Sequence, residues 1–158
     1  MMNWKGILII SLSILTSQLS GQDYNFRNFN SQDGLTQSYV HTIIQDAYGY
    51  LWVGTDNGLF RYNGFHFENH PTGDTLADNF IVKGIRDGES LWFGHKNGRI
   101  SYFNGKKVFA FNNPQPDLSS ITHFAKSPDN QIWVSCYYDG LLKLSKDSGV
   151  VRRFQFKD

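Results

Sequence analysis

Gly49-Tyr50-Leu51-Trp52-Val53-Gly54 is the stretch that decides the fold, because the chain of 158 residues says it three times. The other versions are Glu89-Ser90-Leu91-Trp92-Phe93-Gly94 and Asn130-Gln131-Ile132-Trp133-Val134-Ser135. Their tryptophans stand 40 and 41 residues apart, each with an aliphatic residue before it and an apolar one after. Recurrence at a fixed period of this length marks a repeat architecture. Turn signals surround each phrase. Before it come Asp46-Ala47-Tyr48-Gly49, Asp87-Gly88-Glu89-Ser90 and Ser127-Pro128-Asp129-Asn130. After it come Asn57-Gly58, Asn97-Gly98 and Asp139-Gly140, and further on Asn63-Gly64, Asn104-Gly105 and Asp147-Ser148-Gly149. Asn-Gly and Asp-Gly supply the positive φ angles that tight hairpins require.

Three turns divide each repeat into four short strands, A to D. Strand A covers 40–45, 81–86 and 121–126, strand B carries the tryptophan, strand C covers 59–62, 99–103 and 141–144, and strand D covers 65–68, 107–111 and 150–156. Apolar residues fall on both parities, as in Ile43-Ile44 and Leu51-Trp52-Val53. A sheet with one wet face alternates more cleanly, so both faces are expected to be covered. Four strands in roughly 40–45 residues are the signature of a β-propeller blade. A β-sandwich also has short strands and regular turns, but nothing in it calls for a tryptophan at this period. The fold expected is therefore all-β: three four-stranded antiparallel blades of an incomplete ring. Trp52, Trp92 and Trp133, with Gly54 and Gly94, are read as structural core.

Residues 1–21 read differently. Lys5 is their only charge, an apolar run from Ile7 to Leu15 follows, and Ser17-Gln18-Leu19-Ser20-Gly21 is small and polar. These are the regions of a signal peptide, with cleavage expected after Ser20 or Gly21. The apolar run is about half the roughly 20 residues that span a bilayer. The organisation expected is a signal peptide at 1–21, an N-terminal strand and lead-in at 22–38, and blades at 39–70, 71–112 and 113–158. Tyr24-Asn25-Phe26-Arg27-Asn28-Phe29 resembles a strand D and is expected to complete the last blade of a closed ring. Closed rings typically hold about four to eight blades, so three read as part of a longer protein, and the piece alone is expected to be poorly soluble.

Charge is nearly balanced, at 15 basic and 14 acidic residues, which argues against a nucleic-acid binder. Aromatic content of 16% is too high for a disordered chain. An exported chain would meet a disulfide-permissive compartment, yet Cys136 is the only cysteine, so packing must hold the fold. No metal site is expected: His66 and His70 are four residues apart but on a strand and its exit, about 13 Å at strand rise. His41 and His123 lie within strands A and are read as packing residues. There is no nucleophile elbow and no phosphate-binding glycine loop, and the aspartates fall at turns. Neither a cofactor nor an enzyme activity is expected for this chain. Binding, if present, belongs to loops on one end of the ring. The B–C turns and D–A connections share that end and vary most between repeats, which makes Lys96, Tyr137 and Tyr138 the candidate ligand contacts.

Gln32-Asp33-Gly34-Leu35, Ile44-Gln45-Asp46, Gly49-Tyr50-Leu51-Trp52-Val53-Gly54-Thr55, Asn57-Gly58-Leu59 and Arg61-Tyr62-Asn63-Gly64 together resemble the two-component-regulator propeller repeat. The resemblance is strongest in the first blade. Blade two has Arg99 for Leu59 and a shorter A–B turn; blade three has Ser135 for the glycine and an extra residue before Gly140. The resemblance implies the periplasmic sensor region of a histidine kinase, a receptor that binds a small molecule such as a carbohydrate fragment. It further implies partners among other propeller domains or a second subunit, and a membrane reached only through segments downstream of these blades. Two other readings are carried beside it: a secreted or cell-surface scaffold for protein interaction or secretion, and a propeller lyase or hydrolase.

Overall fold

The computed structural model describes residues 24–37, 39–70, 76–111, 118–145 and 149–154. The signal peptide expected at 1–21 lies outside the described residues, as do the central parts of both D–A connections. Among the described residues twelve strands form three separate four-stranded antiparallel sheets, each a meander in chain order. Blade one holds β1 (Val40–Gln45), β2 (Leu51–Thr55), β3 (Gly58–Tyr62) and β4 (Phe67–His70). Blade two holds β5 (Ile81–Asp87), β6 (Ser90–His95), β7 (Ile100–Phe103) and β8 (Val108–Ala110). Blade three holds β9 (Ile121–Lys126), β10 (Ile132–Cys136), β11 (Gly140–Ser145) and β12 (Gly149–Phe154). The glycines of the B–C turns take the positive φ that their type permits: 137° at Gly58, 78° at Gly98 and 73° at Gly140. The sheets stack face to face through their first strands, β1 against β5 and β5 against β9, as blades packed around a common axis.

Each junction is a separate apolar core. Trp52, Leu59, Ile81, Leu91, Phe93 and Phe103 fill the first, and Trp92, Ile100, Ile121, Phe124, Val134 and Leu142 belong to the second. The indoles of blades one and two each face the blade that follows. Trp52 and Trp92 are fully buried. The Trp52 ring lies 4.8 Å from Phe103 of the next blade, and Asp46 fixes its polar end by accepting from Trp52 Nε1 at 2.8 Å. Asp46 also accepts from the Tyr48 and Tyr50 amides, so one buried carboxylate caps the turn and orients the core indole.

Three expectations need correction. Trp133 is only partly buried, because blade three is followed by no further sheet among the described residues; its ring meets Phe154 of its own blade at 5.4 Å. The stretch Tyr24–Phe29 forms no strand. A strand needs an edge to pair with, and the last blade of a closed ring, which this stretch is expected to complete, is not among the described residues. Instead Phe29 packs edge-on against Tyr62 and Phe67 at 5.1 and 5.4 Å, and with Leu35 it covers the face of blade one turned away from blade two. Strand D begins later than expected, at Phe67 and Val108, because Asn63 Oδ1 accepts the amides of Phe65 and His66, and Asn104 Oδ1 those of Lys106 and Lys107. Those amides serve an Asx turn instead of the ladder.

Candidate functional site

Antiparallel meanders put the B–C turns and the D–A connections at one end of the blades. Backbone bonds lock that end together. Lys96 donates its amide to the Phe80 carbonyl at 3.0 Å, and Tyr137, at the equivalent place in blade three, donates to the Ser120 carbonyl at 3.0 Å. Gly58 of the first B–C turn donates to the Asn79 carbonyl at 2.9 Å, tying blade one to the lead-in of blade two. Blade three adds Asp139, which accepts from the Ser119 amide and hydroxyl and pairs with Arg153. The Ser119 hydrogen bonds lead in holding the Asp139 carboxyl below its ordinary range, so it stays ionised as an anchor.

The second residue of every strand A bulges out of register: His41 in β1, Val82 in β5 and Thr122 in β9. A bulge bends the strand and re-aims the extra side chain. At blade one it presents His41 to the ring of Phe80, stacked at 5.0 Å with 30° between planes. Lys96 Nζ lies 4.6 Å from the centre of the same ring, a cation–π contact. Two neighbouring blades therefore share one aromatic platform with a cation beside it. Tyr137 and Tyr138 stand 66% and 82% exposed, their rings perpendicular at 4.5 Å. Of the three expected ligand contacts, Lys96 is anchored on Phe80, while Tyr137 and Tyr138 form an outlying aromatic pair on the next B–C turn. His41 and Phe80 were not among the expected contacts. Their only signal was position, since a bulge leaves no mark in a single sequence.

Beneath the Lys96 turn sits His95, with no exposure. Its Nε2 is 2.7 Å from Ser101 Oγ, which accepts the Ala77 amide at 2.9 Å. Ser101 Oγ keeps its proton and a second lone pair for this contact, so either partner can be the donor. Nδ1 has no hydrogen-bond partner, although the nearby Phe80 carbonyl favours a protonated ring. Burial dominates and pushes the imidazole down to about 4. His95 is thus a neutral strut under the platform. Among the described residues no group of His, Cys, Asp and Glu is assembled to hold a metal ion.

Comparison with known proteins follows the same lines. Residues 34–57, the lead-in and first hairpin of blade one, match the family described as two component regulator propeller. A stretch of 72 residues is 42% identical to histidine kinase P4 of Formosa agariphila, covering 42% of this chain and 5% of that protein. Over these stretches the chain is similar to the two component regulator propeller family. Virginiamycin B lyase from Staphylococcus aureus, solved as a catalytically inactive variant with quinupristin, aligns with this chain at a TM-score of 0.62 and 16% identity, over 84% of this chain and 45% of that one. A streptogramin B lyase aligns at 0.55 and 20% identity, over 72% of this chain and 40% of that one. At such identities the likeness is one of fold. The chain spans about 5% of the kinase and less than half of either lyase.

Proposed function

We propose that these blades belong to the exported ligand-sensing region of a two-component receptor, and that a small molecule seats on the loop end. The observation that carries the reading is the platform of His41, Phe80 and Lys96, built across two blades in a chain with a 72-residue stretch 42% identical to a histidine kinase. An aromatic pair with a cation over one of its rings suits a polar ligand with flat apolar faces, such as a carbohydrate fragment. A ligand bridging blades one and two would favour one arrangement of the ring and bias a two-state equilibrium passed to a kinase; that bias requires unequal affinity for the two states. Export is supported by the leader pattern of residues 1–21.

The test is saturation-transfer NMR of the full chain with a panel of oligosaccharides. The expected result is a binder whose signal is lost when Phe80→Ala and Lys96→Ala are combined. A panel without a binder, or a binder indifferent to that double substitution, overturns the assignment.

A further inference from the structure

The repeat places one aromatic residue of each blade at the same point on the loop end. The innermost strand of each blade starts its ladder at Val40 with Thr55, Ile81 with His95 and Ile121 with Cys136. Continuing each ladder by one residue brings together Tyr39 and Asp56 in blade one, Phe80 and Lys96 in blade two, and Ser120 and Tyr137 in blade three. The Lys96 and Tyr137 amides bond to the Phe80 and Ser120 carbonyls across the last two of these pairs. Each pair holds one ring, Tyr39, Phe80 or Tyr137, and Tyr138 stands beside the third. β1 packs against β5 and β5 against β9, so the three positions follow one another blade by blade. Sheets packed face to face lie about 10 Å apart, which gives the row a length of roughly 20 Å.

The groups of this row are open. Tyr39 is 70% exposed, Tyr137 66% and Tyr138 82%, and His41 and Lys96 are exposed beside the partly buried Phe80. Among the described residues no hydrogen bond or ion pair takes up the three phenol hydroxyls, the His41 ring nitrogens or the Lys96 ammonium. The row thus offers flat apolar faces with polar groups at their edges. Its backbone differs, since the Gly58, Lys96 and Tyr137 amides are all bonded within the loop end. A peptide that adds itself as a strand needs free main-chain groups and finds these three taken. A nucleic-acid strand needs a positive track, whereas equivalent positions here carry Asp56, Lys96 and Tyr137.

We propose, on the basis of the loop-end function given above, that this row is a single site for a linear oligosaccharide lying across all three blades. Tyr39 forms one end of it and the Tyr137–Tyr138 pair the other. Sugar rings present C–H faces that lie on aromatic rings, and hydroxyls that reach the phenol, imidazole and ammonium groups at the edges. A short sugar engages one blade, whereas a chain that spans the row engages three. Chain length is then the property the site selects, and a long ligand braces both blade junctions at once.

Calorimetric titration of the full chain with cellobiose and cellohexaose, xylobiose and xylohexaose, and the mannuronate dimer and hexamer tests this. At least one hexamer is expected to bind about tenfold or more tightly than its dimer, the gain from two further aromatic contacts. Tyr39→Ala, and Tyr137→Ala combined with Tyr138→Ala, should each weaken that hexamer about threefold to tenfold. Both should leave the dimer, expected at the Phe80 platform, unchanged. These tyrosines are exposed, so the changes spare the blade cores. The proposal is overturned if the hexamer binds no tighter than its dimer, or if both tyrosine variants bind it like the parent chain. A binder that still depends on Phe80 and Lys96 then leaves the platform reading standing, whereas both readings fall if no saccharide binds. A casein digest serves as the polypeptide probe and is expected to give no saturable heat. Heat that disappears with the tyrosine variants would place a peptide on the row and overturn the proposal.

Discussion

Ile81 of blade two lies directly on the bare backbone of Gly54 in blade one: a methyl group at Gly54 would come within 2.5 Å of Ile81 Cγ2. The next junction repeats the arrangement, with Ile121 Cγ2 2.4 Å from the place a methyl would take at Gly94. Each blade therefore keys the first apolar residue of its strand A into a notch left by the glycine of the blade before. Gly54→Ala and Gly94→Ala should each destabilise the chain by about 1–3 kcal/mol through overpacking. Pairing Gly54→Ala with Ile81→Ala should recover part of that loss in urea unfolding. Strict additivity of the two would argue against the notch.

The three indoles should differ in energetic weight. Trp52→Ala and Trp92→Ala remove fully buried rings and should cost about 3–5 kcal/mol each. Trp133→Ala, at a half-covered position, should cost less than about half as much, read as the shift in denaturant midpoint.

Acid should weaken the fold before the carboxylates titrate. His95 is held near 4 in the folded chain against an ordinary 6.5. The unfolded chain takes up the proton first, so the full stability is present above about pH 6.5 and falls as pH drops toward 4, by about 3 kcal/mol from this group. His70, also lowered chiefly by burial, acts in the same direction. His95→Gln should flatten most of that slope in melts run between pH 4 and 7; an unchanged slope would contradict the assignment.

Cys136 is buried in the second junction, and burial is the larger cause pushing its thiol up to about 11. Alkylation by iodoacetamide at pH 8 should be slow in the folded chain and become rapid in urea. Modification at the rate of a free thiol under native conditions would place Cys136 outside the packed junction.

The blades were legible in the sequence because their signals are local. A glycine that must take positive φ and an indole at fixed period each report a backbone requirement of their own repeat. Burial of Trp133 was not legible, since it depends on a neighbouring sheet and not on the phrase around it. The same holds for Asp46 and Asp87: both read as turn residues, yet one holds an indole and the other reaches across to Lys126, a difference produced by one residue of turn length. His41 was read as a packing residue from its place within strand A, and the slip in register there has no local signal in the sequence.

That slip recurs in all three innermost strands at the same place, at His41, Val82 and Thr122. Val82 packs against the second core and Thr122 bonds Ser135, whereas His41 is exposed and can be exchanged without retuning the hydrogen bonds on either side. At that one place the surface can drift under selection while the stacked framework underneath stays constant.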